Sequence, residues 1–331
     1  MKKHLTLLLL ALCSSMLYAK VITVNNNPNA IGMYSNAQEA VDAAFVGDSI
    51  FLHASGTSYG NITIAKRITL IGEGYSNAPD GLAKTTTVAA IYLDSIPGGD
   101  PVSGTVIEGL SLSGISYISS SRDINRIVLK SLNLGTTYVL GNDWEIINCQ
   151  FGNKLTIPHG YIVNQIIAFN SVFNNKIEYF SGGTFSNCII KDQIYACKFT
   201  QFQNCIFTKA VSYADVNSNN IAVLNSSFSS EQTIDASRSN TATNCLFNTS
   251  PRFIDETHYQ LKPDGPTQGS VNPLIDAGFD GTDIGITGGT YPINIMDGRI
   301  NLPQVHQVEV VTGVIKPGDD LIINVHARTR K

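Results

Sequence analysis

The chain has 331 residues, of which 43% are hydrophobic and 15% are charged. Its 22 lysines and arginines are outnumbered by 26 aspartates and glutamates, which gives a formal net charge of −4 at pH 7. Nucleic-acid-binding proteins need a basic face, and disordered chains are poor in apolar residues. The composition therefore argues against both classes and favours a protein with a well-buried core.

The first nineteen residues have the pattern of a secretory signal. Lys2 and Lys3 precede an apolar run at Leu5–Leu12, and small and polar residues follow up to Ala19. We expect cleavage after Ala19. No later run reaches the roughly 18 apolar residues that a membrane-spanning helix needs, so we expect no transmembrane segment. Export across the inner membrane is predicted, to the periplasm, the cell surface or the medium; Cys13 gives only a weak lipid-anchor signal.

The segment Ser35–Phe45 is the one convincing amphipathic helix of the sequence. Apolar residues recur at helical spacing, and Ser35 or Asn36 can serve as the N-cap. Short apolar runs at 50–52, 62–64 and 68–71 follow it and are typical of strands.

One short pattern, seen at 146–151 as IINCQF, returns eight times between residues 107 and 247. Its corner residue recurs every 17–22 positions, and a period of about 20 is typical of a solenoid. The corners are Gly109, Ser131, Asn148, Asn170, Asn187, Asn204, Asn225 and Asn244.

Glycine and asparagine enter the left-handed backbone region at little cost, so each corner predicts a sharp turn. The third residue after each corner is apolar and alternates with polar or small residues, as in a strand. Coils stacked at ~4.8 Å would align the asparagines in a ladder of hydrogen-bonded amides and the phenylalanines in a column of rings. The alternative is an antiparallel sandwich, whose strands also alternate.

Six cysteines in an exported protein ordinarily suggest disulfides. Here Cys149, Cys188, Cys205 and Cys245 occupy one repeat position that should point inward, where a small apolar residue suits a stacked core. With Cys197 the count after leader removal is odd. We therefore expect buried free thiols.

Four aromatic residues are candidates for stacking on a sugar if they face outward, namely Tyr138, Trp144, Tyr161 and Tyr179. Trp144 is the single tryptophan and has Asp143 and Glu145 beside it. Packing at the edge of a coil is the alternative for Trp144.

The last part of the chain has two features. Asp276, Asp280 and Asp283 could gather around Ca²⁺, with simple Asx-turns as the preferred alternative; no other cofactor is expected. Alternating residues at 308–311 and 321–325 flank a Pro-Gly-Asp-Asp turn and predict a hairpin, which could cover the C-terminal end of a solenoid.

The repeat, together with the segment 47–74, resembles the right-handed parallel β-helix of the pectin-lyase-like superfamily, and the segment 258–292 resembles the closing coils of many secreted bacterial β-helix proteins. The resemblance implies a β-helix over 20–290. We expect the helix at Ser35–Phe45 to cap its N-terminal end and the hairpin tail at 291–331 to cap the other. Enzymes of that fold carry calcium-binding carboxylates with a lysine or arginine base, or clustered aspartates with Gly-His-Gly. The sequence contains none of these patterns; Pro158-His159-Gly160 retains only His-Gly.

We therefore expect an exported, non-catalytic β-helix that binds a glycan or another cell-surface partner. The alternatives are a polysaccharide lyase or glycoside hydrolase with an unfamiliar motif and a rigid structural spacer. The sequence does not identify a ligand or an oligomeric state, because a fold does not determine a function.

Overall fold

The computed structural model describes residues 19–75, 85–95, 101–118, 124–158, 165–209, 213–256, 259–293, 304–310 and 323–328. The predicted leader and Tyr161 lie outside these ranges, apart from Ala19. The described residues form a right-handed parallel β-helix with one short α-helix, α1 at Ala37–Ala43, and one 3₁₀ turn at Ala236–Arg238. No helix in these ranges is long and apolar enough to cross a membrane.

Sheet A contains eleven strands, each parallel to its neighbours, that follow one another along the solenoid. In order they are β1 Val21–Val24, β2 Ser49–Leu52, β4 Thr69–Gly72, β7 Val106–Glu108, β9 Val128–Lys130, β11 Trp144–Ile147, β14 Ile166–Phe169, β17 Ser181–Ser186, β20 Lys198–Gln203, β22 Asn219–Leu224 and β24 Thr241–Thr243.

Sheet B contains thirteen strands and divides into two arms at its long strands. The strands before the division are β3 Ile62–Ile64, β5 Thr87–Val88, β6 Ile91–Leu93, β8 Ser111–Tyr117 and β10 Asn133–Tyr138. The first arm continues through β12 Gln150–Phe151, β15 Val172–Phe173, β18 Ile189–Ile190, β21 Ile206–Phe207 and β23 Ser227–Phe228. The second arm continues through β13 Leu155–Thr156, β16 Ile177–Glu178 and β19 Ile194–Tyr195.

The predicted corners are confirmed at all eight positions. Each has a left-handed backbone, with φ between +46° and +69°. Asparagine is tolerated there because its short polar side chain reduces the cost of this conformation. The corners turn the chain from sheet A towards sheet B, once per coil.

The predicted core is also confirmed. Phe151 and Phe173 stack with ring centroids 4.9 Å apart, and Phe207, Phe228 and Phe247 form a second stack at 4.8 and 5.1 Å. The described cysteines are all free. Cys149, Cys188, Cys197 and Cys205 are fully buried, whereas Cys245 in the last coil is half-buried.

Helix α1 packs on the first strands of the solenoid, as predicted. The side chain of Asn36 caps it by accepting hydrogen bonds from the backbone N–H groups of Gln38 (2.8 Å) and Glu39 (3.3 Å). Ala37, Ala40 and Val41 are buried. The helix ends earlier than predicted because Ala44 has an extended backbone.

Residues 251–293, which we name the strap, do not form the closing coils that the resemblance implied. The strap runs across the outside of the first arm of sheet B. Leu274, Ile284 and Ile286 of the strap share a buried apolar cluster with the outward residues of three successive strands. Those outward residues are Val172, Ile189 and Ile206.

The strap also receives the asparagine side chains at three corners. Asn170 Nδ2 donates to the carbonyls of Ile286 (2.9 Å) and Gly288 (2.6 Å). Asn187 Nδ2 donates to Asp283 O at 3.1 Å. Asn204 Nδ2 donates to Asp280 Oδ1 at 3.3 Å. The predicted ladder is therefore wrong in its partners at these corners, because the amides bind the strap rather than one another.

The tail forms the predicted antiparallel hairpin, from β25 Gln304–Val310 and β26 Ile323–Arg328. The register places Val308 opposite Val325 and Val310 opposite Ile323.

Candidate functional site

The outer surface of the second arm of sheet B brings aromatic and charged residues of separate coils together. The register aligns Tyr138 with Thr156, Thr156 with Glu178, and Glu178 with Tyr195. Their strand neighbours Leu155, Ile177 and Ile194 are fully buried. Because successive side chains of a strand point to opposite faces, the aligned column points outward.

We name this surface the tyrosine face and define it by Tyr138, Lys154, Lys176, Glu178, Tyr179 and Tyr195. Tyr179 and Tyr195 meet edge to face with ring centroids 5.6 Å apart, and the ammonium of Lys176 lies 4.8 Å from the centre of the Tyr195 ring. Lys154 Nζ lies 2.9 Å from Glu178 Oε2. At the far end Tyr138 makes an edge contact with Tyr117 at 6.2 Å.

Tyr179 has a left-handed backbone, as do two other aromatic residues of the described ranges, Phe199 and Tyr259. The φ of Tyr179 is +67°, and the residue is 47% exposed. A bulky residue in this region is an outlier, and the conformation costs on the order of 1–3 kcal/mol. Its N–H donates to Tyr195 O at 2.9 Å, so the corner is fixed by the next coil. The turn presents the ring to solvent instead of burying it.

Two ionisable groups of the tyrosine face, Lys154 and Tyr179, favour their protonated forms. The hydrogen bond to Glu178 raises the pKa of Lys154 above its ordinary value, and the nearby Tyr138 and Tyr179 act in the same direction. Desolvation and then the neighbouring Tyr195 raise the pKa of Tyr179. At neutral pH Lys154 is therefore a cation and Tyr179 a neutral phenol. A general base works best with a pKa near the operating pH, so neither residue is prepared for that role.

Two of the four predicted stacking residues lie on the tyrosine face, Tyr138 and Tyr179. Trp144 does not; its prediction as a surface stacking residue is wrong, because it is only 1% exposed. Its indole Nε1 donates to Ile124 O at 2.7 Å inside the solenoid, as the packing alternative stated. Tyr161 lies outside the described residues.

The sequence prediction missed Lys154, Lys176, Glu178 and Tyr195 as members of one surface. A signal was present, since Glu178 and Tyr195 each stand eight residues after an asparagine corner, Asn170 and Asn187. Equal offsets from equivalent corners place residues in one column, which the register confirms for this pair.

The three aspartates proposed for Ca²⁺ lie in the strap. Asp280 Oδ1 accepts hydrogen bonds from Thr282 N and Thr282 Oγ1, at 3.3 and 2.8 Å. Asp283 accepts from Asp276 N at 3.1 Å and from Thr287 Oγ1 at 2.7 Å. Within the described residues no group of three or more histidine, cysteine, aspartate or glutamate side chains is arranged to hold a metal ion. The convergence predicted for these aspartates is therefore not found there. The carboxylates of Asp280 and Asp283 accept hydrogen bonds from neighbouring strap residues, and Asp280 also accepts one from the corner residue Asn204.

The buried thiols do not provide nucleophiles. Burial raises the pKa of Cys149 and of Cys197 to about 12. A reactive cysteine needs a lowered pKa and access to solvent, and these two side chains have neither.

Comparison with known proteins adds no relative: no family model matches the chain, and no match is found among the curated proteins or among the solved structures.

Proposed function

We propose that this protein is an exported or envelope-associated, non-catalytic β-helix that binds a glycan through the tyrosine face. The observation that carries the proposal is the pair Tyr179 and Tyr195 with Lys176 beside it. Exposed aromatic rings can cover the apolar faces of sugar rings, while neighbouring polar groups bind the hydroxyls.

The backbone of Tyr179 supports a binding role. A left-handed tyrosine is less favourable than asparagine or glycine at the same corner, and packing does not explain it, since the residue is 47% exposed. Strain of this kind tends to occur at functional sites.

The stacking of the coils extends the tyrosine face along the solenoid. Tyr138, Glu178 and Tyr195 stand in one column with a rise of ~4.8 Å per coil. Within the column Thr156 and Glu178 are buried, so a chain ligand lying along it would contact chiefly the half-buried rings of Tyr138 and Tyr195 at its two ends. Repeat proteins commonly use such extended surfaces for binding.

The protonation states favour binding over catalysis. Lys154 as a cation and Tyr179 as a neutral phenol can each donate hydrogen bonds to sugar oxygens. Acid and base catalysis would instead need groups whose pKa values lie near the working pH.

The test is incubation of the purified protein with a panel of neutral and acidic polysaccharides, with and without Ca²⁺. Retention is measured by affinity electrophoresis, and turnover by unsaturated-product absorbance and by reducing ends. We expect retention on at least one polysaccharide without turnover. Turnover that is lost when Lys154 or Lys176 is replaced would establish the enzyme alternative, and absence of retention across the panel would favour the structural spacer.

A further inference from the structure

We propose that the C-terminal hairpin, β25 and β26, docks on the C-terminal end of the solenoid and closes its core. This inference concerns a surface separate from the tyrosine face and does not rest on glycan binding.

The C-terminal end of the solenoid has an incompletely covered core. In the preceding coils, inward residues such as Phe202, Cys205 and Val223 are fully buried. The corresponding residues of the last coil are only partly buried; they are Ile234, Ala242, Cys245 and Phe247. An apolar core that ends in this way requires a cover, and terminal caps are needed for repeat proteins to remain soluble.

The same end carries an edge strand. β24 is the last strand of sheet A within the described residues, so one side of its backbone has no partner strand there. Unprotected edges promote pairing with other chains, and native proteins cover them. The N-terminal end differs, because α1 packs on the first strands and Met33 and Tyr34 donate hydrogen bonds to Thr23 of β1.

The tether is long enough for the hairpin to reach this end. Ile293 N donates to Ile286 O, which also accepts from Asn170, so the strap ends beside the coil of β14. Three strands of sheet A, β17, β20 and β22, lie between β14 and β24, so four inter-strand spacings separate them, a distance of ~19 Å. The ten residues 294–303 can span about 33 Å.

The hairpin in turn needs a surface to pack on. A two-stranded hairpin is marginally stable by itself in water. Its register places the apolar pairs Val308 with Val325 and Val310 with Ile323 at alternate positions. The C-terminal end of the solenoid, with its partly exposed apolar core and the edge of β24 that is unpaired within the described residues, provides a surface on which the hairpin can pack.

Cys245 makes this inference testable, because it lies in the last, incompletely covered coil, whereas Cys205 lies two coils further inside and is fully buried. The experiment labels the native full chain and a form lacking residues 294–331 with a maleimide, and maps each cysteine by mass spectrometry. We expect Cys245 to react about tenfold or more slowly in the full chain than in the shortened form. Cys205 should stay unlabelled in both, which reports that the solenoid is folded.

Equal rates for Cys245 in the two forms, with Cys205 protected, would overturn the proposal. Protection of Cys245 that disappears on dilution would also overturn it, because a second copy would then be the cover. If Cys205 is labelled in the shortened form, that form is not folded correctly and point variants replace it. The same labelling is then carried out on the full chain with Val308→Asp and, as a control in the same strand, with Glu309→Gln. Faster labelling of Cys245 in Val308→Asp alone supports the proposal, and equal labelling in the two variants contradicts it.

Discussion

At the scale of single residues, the asparagines at the corners that the strap covers have two roles: a left-handed backbone and a side-chain hydrogen bond to the strap. The sequence predicts only the first of these roles. The left-handed backbone could be predicted, because few residue types tolerate it and they recur at one repeat position. The partner of each side-chain amide could not. Asn170 binds Ile286, 116 positions along the chain, and no local pattern indicates a contact between residues so far apart.

The first prediction concerns Asn204, whose Oδ1 accepts from Phe279 N at 2.9 Å and whose Nδ2 donates to Asp280. Asn204→Val adds backbone strain and removes both hydrogen bonds, so we expect a loss of about 2–4 kcal/mol in the free energy of unfolding. Asn204→Gly keeps the backbone and loses only the strap contacts, at about 1–2 kcal/mol. Urea denaturation followed by the fluorescence of the buried Trp144 measures both; equal losses would contradict the account of the corner.

The residue scale also explains why Trp144 is buried while Tyr179 is exposed. In a strand the inward or outward direction depends on parity, and a shift of one residue reverses it. Trp144 opens β11 opposite Ile166 of β14, and both residues are buried. The acidic residues on either side of it suggested exposure, but they occupy positions of the other parity or lie outside the strand.

At the scale of elements, the strap accounts for a change of residue type along one column of sheet B. The outward positions of β8, β10 and β12 are Ser111, Asn133 and Gln150, whereas those of β15, β18 and β21 are apolar. The change begins where the strap begins to cover the sheet. This switch in the repeat was a signal of the strap that could have been found in the sequence.

The second prediction tests that explanation with two equivalent positions. Ile189 is fully buried beneath the strap, and Gln150 occupies the same repeat position two coils earlier and is half-buried. Ile189→Ala should lower the free energy of unfolding by about 2–4 kcal/mol, whereas Gln150→Ala should change it by less than about 0.5 kcal/mol. Chemical denaturation of both variants provides the measurement. Similar effects at the two positions would show that the strap does not cover Ile189.

At the scale of the whole molecule, the solenoid, the capping helix and the hairpin could be predicted because each has a local period or a local turn signal. The path of the strap could not, since its sequence has neither the repeat nor regular alternation. The apolar switch on sheet B indicates only that a segment covers those strands, and the strap's contacts there are with distant coils. The tyrosine face depends on how coils of unequal length align, as the 17–22-residue spacing of the corners shows. Only the register of the strands establishes that alignment.

The third prediction concerns the thiols as a set. Cys149, Cys188, Cys197 and Cys205 are buried and free, and burial raises the pKa of each thiol for which a shift is resolved. We expect these four to resist a thiol reagent in the native protein and to react fully after denaturation without reductant. Peptide mapping under non-reducing conditions provides the check; a disulfide between any two of them would contradict the buried column.

The tyrosine face is tested most directly by calorimetric titration of a polysaccharide that the panel retains. The variants are Tyr179→Ala and, as a matched control, Phe279→Ala, which removes the aromatic ring of a strap residue that is 74% exposed. Loss of an exposed ring should leave both variants folded, as judged by the fluorescence of Trp144. We predict that Tyr179→Ala weakens binding by about tenfold or more, equivalent to about 1.4 kcal/mol, and that Phe279→Ala changes it by less than about twofold. Unchanged affinity in Tyr179→Ala, or an equal loss in the two variants, would contradict the assignment of the tyrosine face as the binding site.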